Sequence, residues 1–169
     1  MAAELHPNIL LLDLVMPGPT PAQLERNIRA SFPEIITLVL TAHDRDAYLA
    51  SMIDAGVSGF LSKTERGDRL ISAIRRAAEG SLLFTEEQFQ RALHWQQEAG
   101  GRVSNLTYRE RQVLHLISVG KDNKRIAQKL GVSVKTVAYH LTNIFKKLQL
   151  NSRHETIAWA HKYLPDNLE

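Results

Sequence analysis

The chain has 169 residues, 44% of them hydrophobic, and a net charge of +3, which is enough apolar material for one large domain or two small ones. It contains no cysteine, which excludes disulfides and thiolate metal sites and suits a reducing cytoplasm. No apolar run approaches the roughly 20 residues of a membrane span, MAAELHPN has no signal-peptide pattern, and the seven histidines are scattered without an HExxH, so a cytoplasmic protein with no membrane contact is expected.

In chain order, Ile9-Leu10-Leu11-Leu12 is a short continuous apolar run, as expected of a strand buried on both faces of a parallel sheet. It ends at Asp13 and the loop Val15-Met16-Pro17-Gly18. Residues 21–31 read as a helix, and Ile35 to Leu40 as a second strand ending at Thr41. Asp44 is placed to cap a helix running to about Ala55. Val57 to Leu61 reads as a third strand, ending at Ser62-Lys63. Asp68 to Glu79 reads as a helix with Leu70, Ile71, Ile74 and Ala77 on one face. The order is βαβαβα, a parallel sheet with right-handed crossovers. Asp13, Thr41 and Lys63 close its three strands at the end where open α/β sheets bind ligands. A carboxylate, a hydroxyl and an ammonium there suit a phosphoryl group; the plainer alternative is three polar residues at loop starts.

Residues 81–104 read as a linker, partly helical. Thr85 to Glu98 carries a Thr cap and early acids, Phe89, Leu93 and Trp95 ask for a packing partner, and Ala99-Gly100-Gly101 looks like a flexible break. Beyond it the pattern becomes that of a helix-turn-helix. Counting from Asn123, Ala127 falls fifth, Gly131 ninth and Val137 fifteenth, which suits a close helix crossing, a left-handed turn and a residue packing back on the alanine. Ser133 sits where the second helix needs its cap.

That helix lines up Val137, Leu141, Ile144, Phe145 and Leu148 as a buried stripe. Opposite them run Lys135, Tyr139, Thr142 and Lys146, flanked by Thr136, Ala138 and Asn143, groups suited to phosphates and base edges. With Thr107, Asn123, Lys124, Ser133, His140 and Lys147 they make the candidate DNA-contacting set. An amphipathic surface helix without a nucleic-acid role is the alternative. Charge favours DNA: from Arg102 onward there are 12 basic and 5 acidic residues, net +7, against 9 and 13, net −4, before it.

HPNILLLDLVMPG, VLTAHD and AGVSGFLSK resemble the phosphoacceptor, hydroxyl-bearing and lysine-bearing segments of receiver domains. LTYRERQVL and NKRIAQKLGVSVKTVAYHLTNIFKKL resemble the LuxR-type DNA-binding domain. From about His6 to Ala160 the chain thus resembles two-component response regulators of the NarL/FixJ/LuxR family. The resemblance implies an α/β plus all-α protein, a partial flavodoxin-like receiver followed by a four-helix LuxR-type domain. Its limits would be 1–80 for the receiver and 105–165 for the DNA-binding domain, with the motif at about 123–142. It implies Asp13 as the phosphorylation site, Thr41 as switch hydroxyl, Phe60 as switch aromatic and Lys63 as phosphate contact. It further implies Mg²⁺ held by Asp13 and the Val15 carbonyl, and a last helix that dimerises through Ile157, Ala158 and His161. The implied partners are double-stranded DNA, a cognate sensor histidine kinase and a second copy of the chain.

The departures carry expectations too. The family's first two βα units, on the order of 50 residues at ~30 per βαβ unit, have no counterpart, nor has the acidic pair that holds Mg²⁺. Phosphoryl transfer to Asp13 is therefore expected to be impaired and Mg²⁺ poorly held. The Ile9–Leu12 strand is expected to be an open edge, through which the chain either pairs with another copy or, failing that, is poorly stable. The family often has lysine at the position of Ala138, so phosphate attraction is expected to be weaker there. No nucleophile–base pair supports an enzyme. The main reading is a sequence-specific transcriptional regulator; the alternative is a dimerisation or interference module acting through the open receiver edge.

Overall fold

In a computed structural model, residues 5–16 and 18–164 are described; Pro17, which the sequence places in the loop after the first strand, lies outside them, as do residues 1–4. The chain divides into two compact units, 1–94 and 95–169.

In the first unit three parallel strands, β1 (Ile9–Leu12), β2 (Ile36–Thr41) and β3 (Gly59–Ser62), lie in the order β1-β2-β3. Their register pairs Ile9 with Ile36 and Leu38 with Gly59. Helices α1 (Pro21–Ser31), α2 (Asp46–Ala55) and α3 (Gly67–Ala78) connect and follow them, giving the βαβαβα order expected. The core gathers Leu12, Leu14, Leu38, Val39, Leu49, Met52 and Phe60.

Several local expectations change. Leu11 is 42% exposed, against the reading of a strand buried on both faces and in line with an open edge, and β1 has β2 as its strand neighbour on one side only among the described residues. Asp44 does not cap α2; its N-cap is Arg45, which makes no side-chain capping bond, and the Asp44 carboxylate accepts from Arg91 instead. The buried row of α3 runs through Ala77 with Leu70, Ala73 and Ile74 half-buried, while Ile71 faces out. Leu83, assigned to the linker, forms a parallel bridge to Gly59, with its N–H bonded to the Ser58 carbonyl at 2.7 Å. Gly59 permits this approach, since a Cβ there would stand 2.7 Å from that of Leu83 and 2.9 Å from Leu38 Cδ2.

Helix α4 (Glu86–Trp95) starts with the cap expected from Thr85, the Gln88 N–H donating to Thr85 Oγ1 at 3.1 Å, and Gln88 returns a bond, its Oε1 accepting from the Thr85 N–H at 2.9 Å. Phe89 stacks at a tilt on Phe84 with centroids 5.2 Å apart, but Leu93 remains exposed. Ala99-Gly100-Gly101 is not a break. Residues Gln96–Gly100 form a π-helical turn and Gly101–Ser104 a short helix, α5, with Ala99 fully buried.

The second unit holds four further helices, α6 (Tyr108–Ser118), α7 (Asn123–Leu130), α8 (Val134–Leu148) and α9 (Arg153–Tyr163). Val113, Leu114, Ile117, Ile126, Val137, Ile144 and Leu148 form its core. Each helix begins with a side-chain cap: Thr107, Asp122, Ser133 and Ser152 each accept from the N–H three residues on. Gly131 ends α7 at φ +63° with open space around its α-carbon, so backbone freedom rather than room requires glycine there.

Candidate nucleic-acid interface and strand-end site

The strand-end residues come together in part. Lys63 Nζ lies 2.5 Å from Asp13 Oδ2, and Asp13 Oδ1 accepts from the Val15 N–H at 3.2 Å. The Lys63 hydrogen bond, aided by the N–H groups of Val15 and Leu14 and opposed by partial burial, holds the Asp13 carboxyl below the usual carboxylate value. Thr41 is tied to the same place through its backbone, its carbonyl accepting from the Lys63 N–H at 2.8 Å. Its buried hydroxyl is turned into its own loop, where Oγ1 accepts from the His43 N–H at 2.9 Å. Phe60 is buried, and its carbonyl accepts from Gln88 Nε2 at 3.2 Å.

Asp13 and the Val15 carbonyl do not fit a divalent cation by themselves. Mg²⁺ demands near-octahedral oxygen ligation. Here the carboxylate is held by an ammonium, and no group of three or more acidic, histidine or cysteine side chains able to hold a metal occurs among the described residues.

The loop carrying Thr41 has a second anchor that the sequence did not disclose. From α4, Arg91 donates Nε to Asp46 Oδ1 at 2.7 Å, and its two Nη atoms to Asp44 Oδ2 and Oδ1 at 3.0 and 2.9 Å. The guanidinium thus closes a fork on the loop between Thr41 and α2.

In the second unit α8 presents its polar row outward. Lys135, Ala138, Tyr139, Thr142 and Lys146 are exposed, opposite the buried Val137, Leu141, Ile144 and Leu148. Exposed Lys124 and Arg125 lie on α7, and Val134, outside the candidate set, is exposed in the first turn of α8. Its position was legible beside the Ser133 cap, but an apolar residue carries no charge signal.

Other members of the candidate set have structural partners. Thr107 and Ser133 are caps, and the Ser133 and Thr136 hydroxyls bond each other at 2.8 Å. Asn123 accepts from Arg153 Nη1 at 3.1 Å, while Arg153 also donates to the Lys121 carbonyl. His140 and Asn143 are half-buried, His140 lying edge-on to the Tyr139 ring. Lys147 bonds Glu110 inside the module at 2.7 Å. On α9, Ala158 and His161 are exposed, whereas Ile157 packs partly against the core.

A family model for the response regulator receiver domain matches residues 1–75. One for the luxR family of bacterial regulatory proteins matches residues 104–160. The transcriptional regulatory protein LiaR of Bacillus subtilis is 32% identical over 165 residues, 96% of this chain and 78% of LiaR. The response regulator protein VraR of Staphylococcus aureus is 29% identical over 162 residues, with the same shares covered. Among solved structures, RcsB from Salmonella enterica serovar Typhimurium, bound to a promoter in the presence of phosphomimetic BeF3⁻, matches with a TM-score of 0.51 at 26% identity. That match covers 96% of this chain and 78% of RcsB.

Proposed function

Because the chain belongs to the response regulators with a LuxR-type DNA-binding domain, we propose that it controls transcription by seating α8 in the major groove of specific DNA. The observation that carries this reading is the division of α8 into a buried stripe of Val137, Leu141, Ile144 and Leu148, with Phe145 half-buried beside it, and an exposed row ending in Lys135 and Lys146. A helix anchored on one side and polar on the other is what the major groove admits. Lys124, Lys135 and Lys146 supply phosphate contacts, and Ala138, Tyr139 and Thr142 face the bases. The RcsB structure with promoter DNA supports the reading by likeness.

The test is fluorescence anisotropy on duplex DNA across a potassium chloride series. Lys135→Ala and Lys146→Ala should each weaken binding to all sequences and reduce the salt slope by about one. Salt-independent binding, or none, would refute the proposal.

At the strand-end site the proposal is narrower: as it stands, this 169-residue chain accepts phosphoryl groups at Asp13 poorly. Positioning and charge neutralisation carry phosphoryl transfer, and here Lys63 is the cation that meets Asp13. In this reading Lys63 serves as the phosphate contact, and Thr41 and Phe60 as the switch pair. A sensor histidine kinase is the phosphodonor partner, and Asp13 with the Val15 carbonyl would supply Mg²⁺ ligands only beside further carboxylates. Incubation with acetyl phosphate and Mg²⁺ should leave Asp13 largely unmodified by mass spectrometry; stoichiometric phosphorylation would overturn this.

Pairing of two copies on DNA is assigned to α9 through Ala158 and His161, with Ile157 behind them. The second reading, an interference module, is favoured by the exposure of Leu11, Val15 and Met16 about β1. It predicts association through the first unit and no salt-sensitive DNA binding.

A further inference from the structure

We propose that α8 reads its DNA through pyrimidine C5-methyl groups, thymine above all, with Val134, Ala138, Tyr139 and Thr142 as the reading surface. The inference rests on the DNA-binding reading above and says what kind of site that face selects.

Its ground is the chemistry left over once internal bonds are assigned. Bidentate recognition of guanine uses Arg or Lys, and that of adenine uses Asn or Gln. At the centre of the exposed row stand Ala138, Tyr139 and Thr142, which offer neither; the lysines sit toward its ends, at 135 and 146. Thr142 Oγ1 donates to the Ala138 carbonyl at 3.1 Å, so its hydroxyl proton is used within the helix. The Ser133 and Thr136 hydroxyls are likewise engaged with each other.

Between the two lysines, what remains outward is largely apolar save for the Tyr139 hydroxyl, with the half-buried Asn143 at its flank. Tyr139 is 66% exposed and Val134 46%, with the Ala138 methyl between them. The His140 ring stands edge-on to Tyr139 with centroids 5.9 Å apart, so one side of the phenol ring has an aromatic neighbour. The apolar group that the major groove offers is the C5-methyl of thymine. In 5-methylcytosine a methyl occupies the same ring position, so the same surface should accept it.

The experiment uses the whole chain. Binding sites are first selected from a random-sequence duplex library, and the selected duplex is then resynthesised with single thymines replaced by uracil. Selected half-sites should be rich in thymine, and each uracil at a contacted position should weaken binding about fourfold, the effect of one buried methyl-sized group. Cytosine at such a position should bind less well than 5-methylcytosine.

Tyr139→Ala should bring the thymine-to-uracil ratio close to one at the thymine that most depends on Tyr139 and leave it unchanged at thymines met by the rest of the surface, whereas Tyr139→Phe, which keeps the ring, should retain it throughout; circular dichroism confirms that both variants are folded. Equal binding of thymine and uracil duplexes, guanine-dominated half-sites, or a ratio unchanged at every thymine in Tyr139→Ala would overturn the proposal. Failure to bind any duplex with salt sensitivity would instead refute the DNA-binding reading on which it stands.

Discussion

Lys147 of α8 reaches across to Glu110 of α6, with Nζ 2.7 Å from Oε2. The same carboxylate oxygen accepts from the Thr107 N–H at 2.7 Å and the Thr107 hydroxyl at 2.9 Å. Glu110, only 3% exposed, is thus the hub joining the capping box of one helix to the body of another. Lys147, one of a run of basic residues, is a strut within the module.

Glu110→Ala should therefore destabilise the DNA-binding unit by about 2 kcal/mol, through the lost cap and an unpaired lysine. Lys147→Met should also lower the thermal midpoint, yet leave the salt slope of DNA binding unchanged, in contrast to Lys135→Ala and Lys146→Ala. Thermal denaturation beside salt-dependent anisotropy separates the two classes. A fall in salt slope for Lys147→Met at unchanged stability would return it to the phosphate-contacting set.

Burial raises the Glu110 carboxyl's affinity for a proton, but the bonds from Lys147 and Thr107 outweigh it and leave the group below its ordinary value of 4.5. A depressed carboxylate stabilises the folded state at pH above its unfolded value and loses that contribution as pH falls through the folded one. Urea denaturation of the chain should show the second unit weakening progressively below about pH 4.5, and Glu110→Gln should flatten that limb. An acid limb unaltered in Glu110→Gln would assign it to other carboxylates.

Arg91 makes its fork with Asp44 and Asp46 while about a quarter exposed, so solvent screening reduces what the pair contributes. Arg91→Ala should cost about 1 kcal/mol in the first unit and raise amide exchange in Glu86–His94. Arg91→Lys should not restore protection, because an ammonium cannot span both carboxylates as the planar fork does. Rescue by lysine would show that charge alone suffices.

The order of strands and helices, the parallel sheet and the helix-turn-helix were legible from local pattern. Apolar runs, caps and the Gly131 turn act over a few residues, and sequence records such short-range chemistry directly. The Thr85 cap was readable for the same reason, though its return bond from Gln88 was not read. The bridge of Leu83 to Gly59 was not, because it depends on what lies beside β3 and not on residues 81–84 themselves.

The division into an α/β half and a basic helical half, with Asp13, Thr41 and Lys63 at successive strand ends and α8 as an amphipathic helix, was determined by the sequence alone. Those features follow from residue type, spacing and net charge. Which cations face solvent and which are internal ties was decided only by the tertiary structure. It pairs Lys147 with Glu110, Arg153 with Asn123, Arg91 with Asp44 and Asp46, and Lys63 with Asp13. These partners are from 30 to 50 residues apart along the chain. A charged side chain's role depends on which carboxylate or carbonyl the fold carries to it, and spacing along the chain holds no record of that.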